Sequence, residues 1–335
     1  MLTVVCETPG TLKAEERPRP VPADGEVLLR VQRVGICGTD FHIFAGRQPY
    51  LTYPRVMGHE LSGTVAAAPR GSALAEGDAV YVMPYLSCGR CVACRQGKTN
   101  CCVNIQVLGV HRDGAFAEYV SVPEPFVRKA EGVTLDQAAM IEFLAIGAHA
   151  VRRAQVRAGQ RVLVVGAGPI GMGAMLFARL RGATVVALDS RADRLLVCTQ
   201  QLGAAASVML GPHDVEELAA LSSDEFFDVV FDATGNAQAM QRGFAFVAHA
   251  GTYVLISVVQ ADITFNDPEF HKRETTLLGS RNATMEDFET VRQAMCEGRI
   301  PPGLNTHRIA LAEVPQRFAT LLDPNAGVVK AIVEC

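Results

Sequence analysis

The sequence has no excess of basic residues: 31 lysines and arginines stand against 35 aspartates and glutamates, for a formal net charge of −4. This balance argues against nucleic acid as a partner, because nucleic-acid binding needs a positive surface. The chain also lacks internal repeats and low-complexity tracts, and its 49% apolar and 20% charged residues carry no signature of disorder. Because 335 residues exceed one ordinary core, we expect two domains.

Targeting and membrane segments are also missing. The opening "MLTVVCETPG" has no basic region followed by a long apolar run, so no signal peptide is predicted. One uncharged stretch, residues 162–178, is slightly short for a membrane span and is interrupted by glycines and a proline. We therefore expect a cytoplasmic protein with no membrane partner, in which clustered cysteines more often bind metal or do redox chemistry than form disulfides.

The hydrophobic patterning changes character along the chain. The first part has short apolar or alternating runs such as "GEVLLRVQRVGI" and "DAVYVMP", broken by glycine, proline and aspartate, which predict strands. After about residue 142, apolar strands alternate with helical stretches such as "NAQAMQRGFAFVAH", and this alternation implies a parallel sheet covered on both faces. The final "GVVKAIVEC" predicts one more strand.

The segment "VLVVGAGPIG" has the glycine spacing of a dinucleotide-binding turn. Gly166, Gly168 and Gly171 would supply the tight turn, the close backbone approach to a pyrophosphate and the close helix–strand contact. Pro169 suits the first position of the following helix, whose free N–H groups would face the phosphates. The alternative is a glycine-rich turn in an unrelated α/β sheet, but the strand and the helix around the glycines make it the weaker interpretation.

An acidic residue follows the glycines at the expected distance. Asp189 ends the next predicted strand, close to the spacing of about twenty residues at which a carboxylate accepts the ribose hydroxyls. Its charge would repel a 2′-phosphate, which favours NAD over NADP. Arg191 and Arg194 follow closely and weaken that preference slightly.

Two short segments contain candidate ligands of a catalytic metal. "GICGTDFH" contains Cys37 and "MGHE" contains His59, one thiolate and one imidazole that together suit Zn²⁺. A catalytic zinc needs three protein ligands and an open position, and spacing alone does not identify the third. Taken singly, the cysteine is more often a buried small apolar residue and the histidine a hydrogen-bonded structural one.

Together these motifs resemble the zinc-dependent medium-chain alcohol dehydrogenases, and the resemblance covers essentially the whole chain. It implies an α/β fold with a β-rich GroES-like catalytic domain and a doubly wound parallel-sheet Rossmann domain. The expected boundaries are 1–146 for the first part of the catalytic domain, 147–282 for the Rossmann domain and 283–335 for the second part of the catalytic domain.

The resemblance also implies a ligand set for the catalytic zinc. Cys37 and His59 match two ligands of the family, and Glu60 matches a close or exchangeable one. The segment "IEFLAIGAHA" places Glu142 where the polyol (sorbitol dehydrogenase-like) branch has a glutamate ligand and ordinary alcohol dehydrogenases have a cysteine. Phe143 departs from the proline that usually follows.

The resemblance implies a reaction as well. Zinc would polarise the substrate oxygen and lower the pKa of the hydroxyl, and hydride would pass to the nicotinamide of NAD. The Thr39 hydroxyl would contact the substrate oxygen, and His42 would pass the proton outward through the cofactor ribose. A hydroxyl relay suits a shielded site, and histidine titrates near neutral pH. Asp40 would either orient a zinc ligand or cap a short helix. The implied cofactor contacts are Gly166, Gly168, Pro169, Ile170, Gly171, Asp189, Arg194 and Thr234.

Half of the ten cysteines lie in "CGRCVACRQGKTNCC". Cys88, Cys91 and Cys94 form C-x-x-C-x-x-C, and Cys102 follows at the spacing of the family's structural zinc lobe, here about residues 84–105. Four thiolates around Zn²⁺ make a closed site that contributes folding energy but leaves no room for substrate. A redox pair is the main alternative. Cys101 is adjacent to Cys102, and only one of the two is needed.

The substrate is less specified than the reaction. "DPEFHKRETTLLGSRNAT" resembles bacterial L-galactonate or L-gulonate 5-dehydrogenases, which implies oxidation of a secondary hydroxyl of a polyhydroxy acid to a ketone. A carboxylate substrate needs a cation, and Arg281 is the first candidate because arginine binds carboxylates with two parallel hydrogen bonds. His271, Lys272 and Arg47 are further candidates, and each could equally be a surface charge.

Other functions stay open. Within the family, the substrate could be a sugar alcohol such as sorbitol or xylitol, L-threonine or a free sugar. Outside it stand a catalytically silent relative and a zinc-independent reductase, which would lack the zinc ligands and the cysteine-rich lobe. The family also leads us to expect a homodimer or homotetramer.

Overall fold

The computed structural model describes residues 1–335, apart from the side chain of Pro324, and divides into two compact units. The first comprises Met1–Glu142, Thr284–Gly298 and Pro302–Cys335, and the second comprises Phe143–Ala283 and Arg299–Pro301. The main junctions of the chain thus fall after residues 142 and 283, beside the junctions after 146 and 282 that the sequence suggested.

The first unit begins with strands, which we number along the chain. Up to the first junction they are β1 (Leu2–Thr8), β2 (Thr11–Glu16), β3 (Glu26–Ile36), β4 (Arg55–Val56), β5 (Glu60–Ala67), β6 (Ala79–Val82), β7 (Tyr85–Leu86), β8 (Gln106–Val107), β9 (Tyr119–Pro123) and β10 (Val127–Lys129). The helices of this part are short: α1 (Gly38–Phe44), α2 (Val92–Arg95) and α3 (Leu135–Ala139).

The second unit alternates helices with strands. Its helices are α4 (Ile141–Arg153, which starts just before the junction), α5 (Pro169–Leu180), α6 (Ala192–Gln200), α7 (Asp214–Leu221), α8 (Ala237–Arg242) and α9 (Asp267–Lys272). Its strands are β11 (Arg161–Val165), β12 (Thr184–Asp189), β13 (Ala206–Met209), β14 (Phe227–Asp232), β15 (Val247–Leu255) and β16 (Thr276–Gly279). All adjacent strands pair in parallel, in the order β13-β12-β11-β14-β15-β16.

The chain then returns to the first unit with α10 (Met285–Cys296), β17 (Asn305–Ala310), α11 (Val314–Arg317) and β18 (Lys330–Glu334). The main sheet of this unit has the order β10-β6-β5-β3-β18-β17, and β9 also pairs with β3. Its pairs are antiparallel except for β17 with β18. Its apolar face packs into a core that includes Val4, Leu29, Ile43 and Phe116, each essentially without solvent exposure.

The observed architecture confirms the predicted fold class, a GroES-like domain with a doubly wound parallel sheet. The last strand, β18, lies where "GVVKAIVEC" predicted it. The helical prediction for "NAQAMQRGFAFVAH" was wrong at its end, because β15 begins at Val247, which pairs with Phe227 of β14. Both side chains are buried, so packing in the sheet overrides the local pattern.

The uncharged stretch at residues 162–178 is divided between β11 and α5. Among the described residues, no helix combines the length and the apolar character needed to cross a membrane.

Candidate active site and metal centres

The edge of the main sheet in the first unit brings three chain segments together. Strand β3 ends at Ile36, next to Cys37, while its antiparallel neighbours β5 and β18 begin there with Glu60 and Lys330. Gly35 is required at this place, since a methyl group on it would overlap the Glu60 carboxylate and crowd the Lys330 side chain. The strand pairing therefore places a thiol, a carboxylate and an ammonium group side by side.

Helix α1 fixes the thiol. Cys37 is its N-cap residue, and the Cys37 backbone N–H donates to Oδ2 of Asp40 at 2.8 Å. The other oxygen of Asp40 accepts from the backbone N–H of Gly58 at 3.2 Å and lies 3.8 Å from Nδ1 of His59. Asp40 thus caps the helix and also contacts the loop that holds His59. Its role in orienting a zinc ligand stays a prediction.

Ligand atoms of Cys37, His59 and Glu60 lie within 4.8 Å of one another. The histidine is buried, and within the part of the chain that the structure describes its Nδ1 has no hydrogen-bond partner. A buried ring nitrogen without a partner is unfavourable unless another group satisfies it. Sulfur, nitrogen and oxygen donors at this spacing suit zinc, so these residues fit the metal that the sequence predicted.

The charges around this triplet are strongly coupled. Burial opposes a positive charge on His59, but the neighbouring Asp40 carboxylate and Cys37 thiol together raise its pKa well above the usual range. Glu60 forms an ion pair with Lys330, and both side chains are buried. Burial also raises the pKa of Asp40. The site is therefore a mostly buried cluster of ionisable groups, an environment that strengthens the interaction between a metal ion and its ligands.

Glu142 lies beside the triplet but is not among the residues whose ligand atoms cluster within 4.8 Å. It is buried in the first turn of α4, and its carboxylate accepts a hydrogen bond from the phenol of Tyr85. Burial, and then repulsion by Glu60, raise the pKa of Glu142 to about 7. The Glu142 carboxylate is thus close enough to Glu60 for the two charges to repel each other, and Tyr85 donates a hydrogen bond to it.

The predicted proton-transfer residues both lie on helix α1. Thr39 is half-buried at its start. His42 is one turn further along, and its pKa is lowered, first by partial burial and then by the positive charge of Arg47. Both residues therefore follow Cys37 on one short helix. Their roles stay predictions.

The four-cysteine lobe, residues 84–105, forms a second candidate metal centre. Sγ atoms of Cys88, Cys91, Cys94 and Cys102 lie within 4.8 Å of one another, whereas Cys101 is exposed and outside this group. Hydrogen bonds from backbone N–H groups lower the pKa of Cys88 to about 6 and also lower that of Cys91. Burial, and then hydrogen bonding with Cys91, raise the pKa of Cys94 to about 11. The pKa of Cys88 thus favours the thiolate that zinc binding requires, whereas Cys94 would have to lose its proton as the metal binds.

The glycine-rich turn in the second unit has the geometry that the spacing predicted. Gly166 has a φ of +94°, a conformation that side chains rarely adopt. A methyl group on Gly171 would overlap the carbonyl oxygen of Gly166, so this glycine permits close contact between α5 and the turn. Gly168 caps α5, and Pro169 is the first helical residue, followed by Ile170. The helix N-terminus is thus open for a phosphate group.

The other predicted cofactor residues surround this turn. Asp189 ends β12, and its carboxylate accepts from the backbone N–H groups of Ala167 and Arg191 at 2.6 and 2.8 Å. Arg194 lies close to the turn: its Nη1 atom would be 3.6 Å from a Cβ atom added to Gly168. Thr234 follows β14, where its backbone N–H and hydroxyl both donate to Asp232. Elements β12, α6 and β14 therefore bring these side chains to the carboxyl edge of one parallel sheet, where such folds bind ligands.

The two predicted substrate-binding cations are both exposed in the second unit. Arg281 follows β16 and His271 lies on α9. Lys272, a weaker candidate, forms an ion pair with Glu269 at 3.6 Å. Their roles in substrate binding stay predictions.

Sequence reasoning missed two residues of the catalytic region. Lys330 is the single charge inside the apolar run "GVVKAIV", and a lone lysine in a predicted buried strand is a signal that could have indicated a buried ion pair. Tyr85 lies at the start of the four-cysteine lobe and carries no comparable signal, since tyrosine is common in strands.

Comparison with known proteins identifies relatives along almost the entire chain. Residues 23–132 match the model of the alcohol dehydrogenase GroES-like domain, and residues 169–297 match that of the zinc-binding dehydrogenases. The chain is 42% identical to an L-galactonate-5-dehydrogenase of Escherichia coli K12, over 99% of this chain and 98% of the relative. It is 31% identical to a sorbitol dehydrogenase of Bacillus subtilis 168, over 83% of this chain and 81% of the relative.

Solved structures agree with these matches. A protein from Escherichia coli CFT073, described as a short chain alcohol dehydrogenase and complexed with NADH, superimposes with a TM-score of 0.94 at 30% sequence identity. The alignment covers 100% of this chain and 99% of that structure.

Proposed function

Because the chain belongs to the zinc-dependent medium-chain alcohol dehydrogenases of the polyol branch, and is an NAD-dependent oxidoreductase, we propose that it oxidises a secondary hydroxyl of a sugar acid such as L-galactonate or L-gulonate to a ketone. The position proposed for oxidation is C5. The observation that carries the reaction class is the cluster of the half-buried Cys37 with the buried His59 and Glu60 in the first unit.

Two observations support a polyhydroxy substrate. The L-galactonate-5-dehydrogenase relative matches nearly the full chain, and the sorbitol dehydrogenase belongs to the same group of matches. Glu142, a carboxylate in place of a cysteine, is buried beside the cluster. A sugar alcohol is the second candidate, because the sorbitol dehydrogenase covers most of the chain at lower identity.

We assign the catalytic zinc to Cys37, His59 and Glu142, with Glu60 as the exchangeable ligand. When bound, zinc supplies a Lewis acid that lowers the pKa of a hydroxyl oxygen. The thiolate and imidazole hold their positions through α1 and the Gly58 loop, and Asp40 links these two elements. The structural zinc is assigned to Cys88, Cys91, Cys94 and Cys102.

The proton released on oxidation is passed along helix α1. The Thr39 hydroxyl accepts the proton from the substrate oxygen and passes on its own, and His42 delivers it to solvent. The lowered pKa of His42 keeps its imidazole neutral at pH 7, so it can accept a proton. A hydroxyl as the first acceptor of the proton suits a site shielded from water.

The glycine-rich turn of the second unit binds NAD in this proposal. Gly166, Gly168 and Gly171 leave room for the pyrophosphate at the N-terminus of α5, and Asp189 accepts the ribose hydroxyls. Arg194 lies near the same turn and would contact a phosphate. The Asp189 carboxylate disfavours the extra phosphate of NADP.

Arg281 is proposed to bind the substrate carboxylate, with His271 as a second contact. Replacing Arg281 with alanine should raise KM for a sugar acid by tenfold or more while leaving KM for a neutral polyol nearly unchanged, because only the acid loses a charge-assisted pair of about 1.5–3 kcal/mol. Equal losses on both substrates would exclude the assignment.

A homodimer or homotetramer is proposed as the assembly. Strand β16 is the last in the order of the parallel sheet and is largely exposed, with Leu277 39% accessible. An exposed edge strand with unpaired backbone groups favours pairing with another chain. Light scattering coupled to size exclusion distinguishes monomer, dimer and tetramer.

A substrate panel tests the proposed function. NADH production should be measured with L-galactonate, L-gulonate, sorbitol, xylitol, L-threonine and free sugars at matched concentrations. The proposal predicts the highest kcat/KM with a sugar acid. A higher kcat/KM with sorbitol or L-threonine would transfer the assignment to that class, and no NADH with any substrate would overturn the oxidation itself.

A further inference from the structure

The structure connects the two candidate metal centres of the first unit through one side chain. The Tyr85 phenol donates a hydrogen bond to Oε1 of Glu142, and both side chains are buried, with relative exposures of 4% each. A carboxylate has two oxygens, so a donor on one of them fixes its orientation and leaves the other for a different partner. Because ligand carboxylates are usually oriented by such outer hydrogen bonds, Tyr85 has the position of an orienting residue.

Packing holds the tyrosine ring itself in place. Its ring meets the edge of Phe288 at a centroid distance of 6.2 Å and an interplanar angle of 81°. Phe288 lies on α10, is fully buried and also stacks against Tyr81 at 6.3 Å. A buried phenol in this aromatic group has little rotational freedom, so its hydroxyl stays directed at the Glu142 carboxylate.

The backbone of Tyr85 belongs to the four-cysteine lobe. Strand β7 contains Tyr85 and pairs with β8, with Tyr85 opposite Val107. The chain between the two strands holds all four clustered cysteines, from Cys88 directly after β7 to Cys102 shortly before β8. A two-stranded hairpin is marginal without further support, so a metal ion bound by these cysteines would close it and fix the residue at its base.

We propose that Tyr85 is a positioning residue that orients the Glu142 carboxylate and ties it to the four-cysteine lobe. The inference rests on the proposed role of Glu142 as a catalytic zinc ligand. Loss of the phenol, or loss of the structural zinc, leaves Glu142 without its donor and weakens binding of the catalytic zinc by Cys37, His59 and Glu142.

Tyr85→Phe tests the proposal, since it removes one oxygen and retains the ring that packs on Phe288. Zinc per chain is measured after equilibration with increasing concentrations of a chelator. Wild type should release its zinc in two steps, and the first step is taken as release of the catalytic zinc. In Y85F this step should occur at a 10- to 100-fold lower chelator concentration, the usual effect of losing an outer-shell partner. Y81F is the matched control: it removes a phenol from a buried tyrosine that packs on the same Phe288, and its first step should not move.

Two further variants separate the possible outcomes. E142Q should itself weaken binding of the catalytic zinc, because it removes the charge of the ligand. Adding Y85F to E142Q should produce no further loss, because orienting a side chain that no longer binds the zinc has no effect on the metal. If E142Q weakens binding of the catalytic zinc but Y85F does not, the positioning role of Tyr85 is overturned while the proposed function stands. If E142Q has no effect either, Glu142 is not a ligand and the proposed ligand set fails.

The connection to the lobe has its own test. C102S should lose the structural zinc and should lower the affinity of the remaining zinc as Y85F does. An unchanged affinity in C102S would overturn that connection. If Y85F does not fold, a crystal structure of the zinc-loaded wild type decides: the phenol oxygen within hydrogen-bond distance of Glu142 supports the proposal, and a phenol turned away from Glu142 overturns it.

Discussion

Lys330 and Glu60 form an ion pair in which the side chains are 1% and 0% exposed. Removing one partner of a buried pair leaves an uncompensated charge, so Lys330→Met should lower the free energy of unfolding by about 3 kcal/mol. K129M is the control, because Lys129 pairs with Asp78 at 2.9 Å on the surface and its loss should amount to less than about 1 kcal/mol. Denaturant unfolding of the zinc-loaded proteins measures both, and similar losses would contradict the importance of burial.

The two adjacent cysteines of the lobe should differ in their effect on zinc content. C102S removes the buried member of the four-cysteine group, so one zinc per chain should be lost, whereas C101S alters an exposed thiol and should retain two. Elemental analysis of the purified variants distinguishes them. Zinc loss in C101S with retention in C102S would reverse the assignment.

Local patterns anticipated much of this arrangement. The glycine spacing from Gly166 to Gly171 and the C-x-x-C-x-x-C run specify backbone turns through short-range geometry, so a sequence can express them directly. The alternation of strands and helices likewise predicted the parallel sheet. The proximity of Cys37, His59 and Glu60 needed the family resemblance, because it arises from pairing between strands that are distant in sequence.

Contacts between residues that are distant in sequence could not be predicted, because they form only in the folded chain. Lys330 reaches Glu60 because β18 and β5 flank β3, and Tyr85 reaches Glu142 because the four-cysteine lobe and the start of α4 converge. The start of β15 at Val247 was missed for the same reason, since pairing with β14 outweighs the local helical pattern. Long-range packing thus determined each residue that sequence reasoning did not find.

Asp189 should determine the choice of cofactor. D189N keeps an oxygen that can accept from the N–H of Ala167 or Arg191 but removes the charge that favours the ribose hydroxyls. We expect kcat/KM for NAD to fall about tenfold, the loss of one charge-assisted hydrogen bond, and the ratio of NADP to NAD activity to rise. E217Q, which removes an exposed charge in the same unit, should change neither. An unaltered cofactor ratio in D189N would contradict the role of this carboxylate.

The Asp214–Arg242 pair should make stability depend on pH. Its hydrogen bonds, first from Arg242 and then from the backbone N–H of Gly211, lower the pKa of Asp214. The unfolded chain then binds a proton more readily, so this contribution is present above the usual aspartate pKa of about 3.9 and is lost as the pH falls through the lower folded-state pKa. In R242M the urea midpoint should be reduced near pH 6 and should approach that of wild type below about pH 4.

R242K is the control for that measurement. It keeps the positive charge beside Asp214, so it should retain more of the difference between neutral and acid pH than R242M does. A gap between wild type and R242M that stays constant down to pH 3 would show that the pair does not act through the ionisation of Asp214.

Removal and return of zinc tests the central claim most directly. NAD reduction with the best substrate of the panel should be followed for the zinc-loaded protein, for protein freed of metal by a chelator, and for the same sample after zinc is restored, with zinc per chain measured each time. Zinc-dependent catalysis predicts that activity disappears when the more labile zinc is removed and returns with it, because this ion polarises the substrate oxygen. Full activity in a sample that contains no zinc would contradict the account.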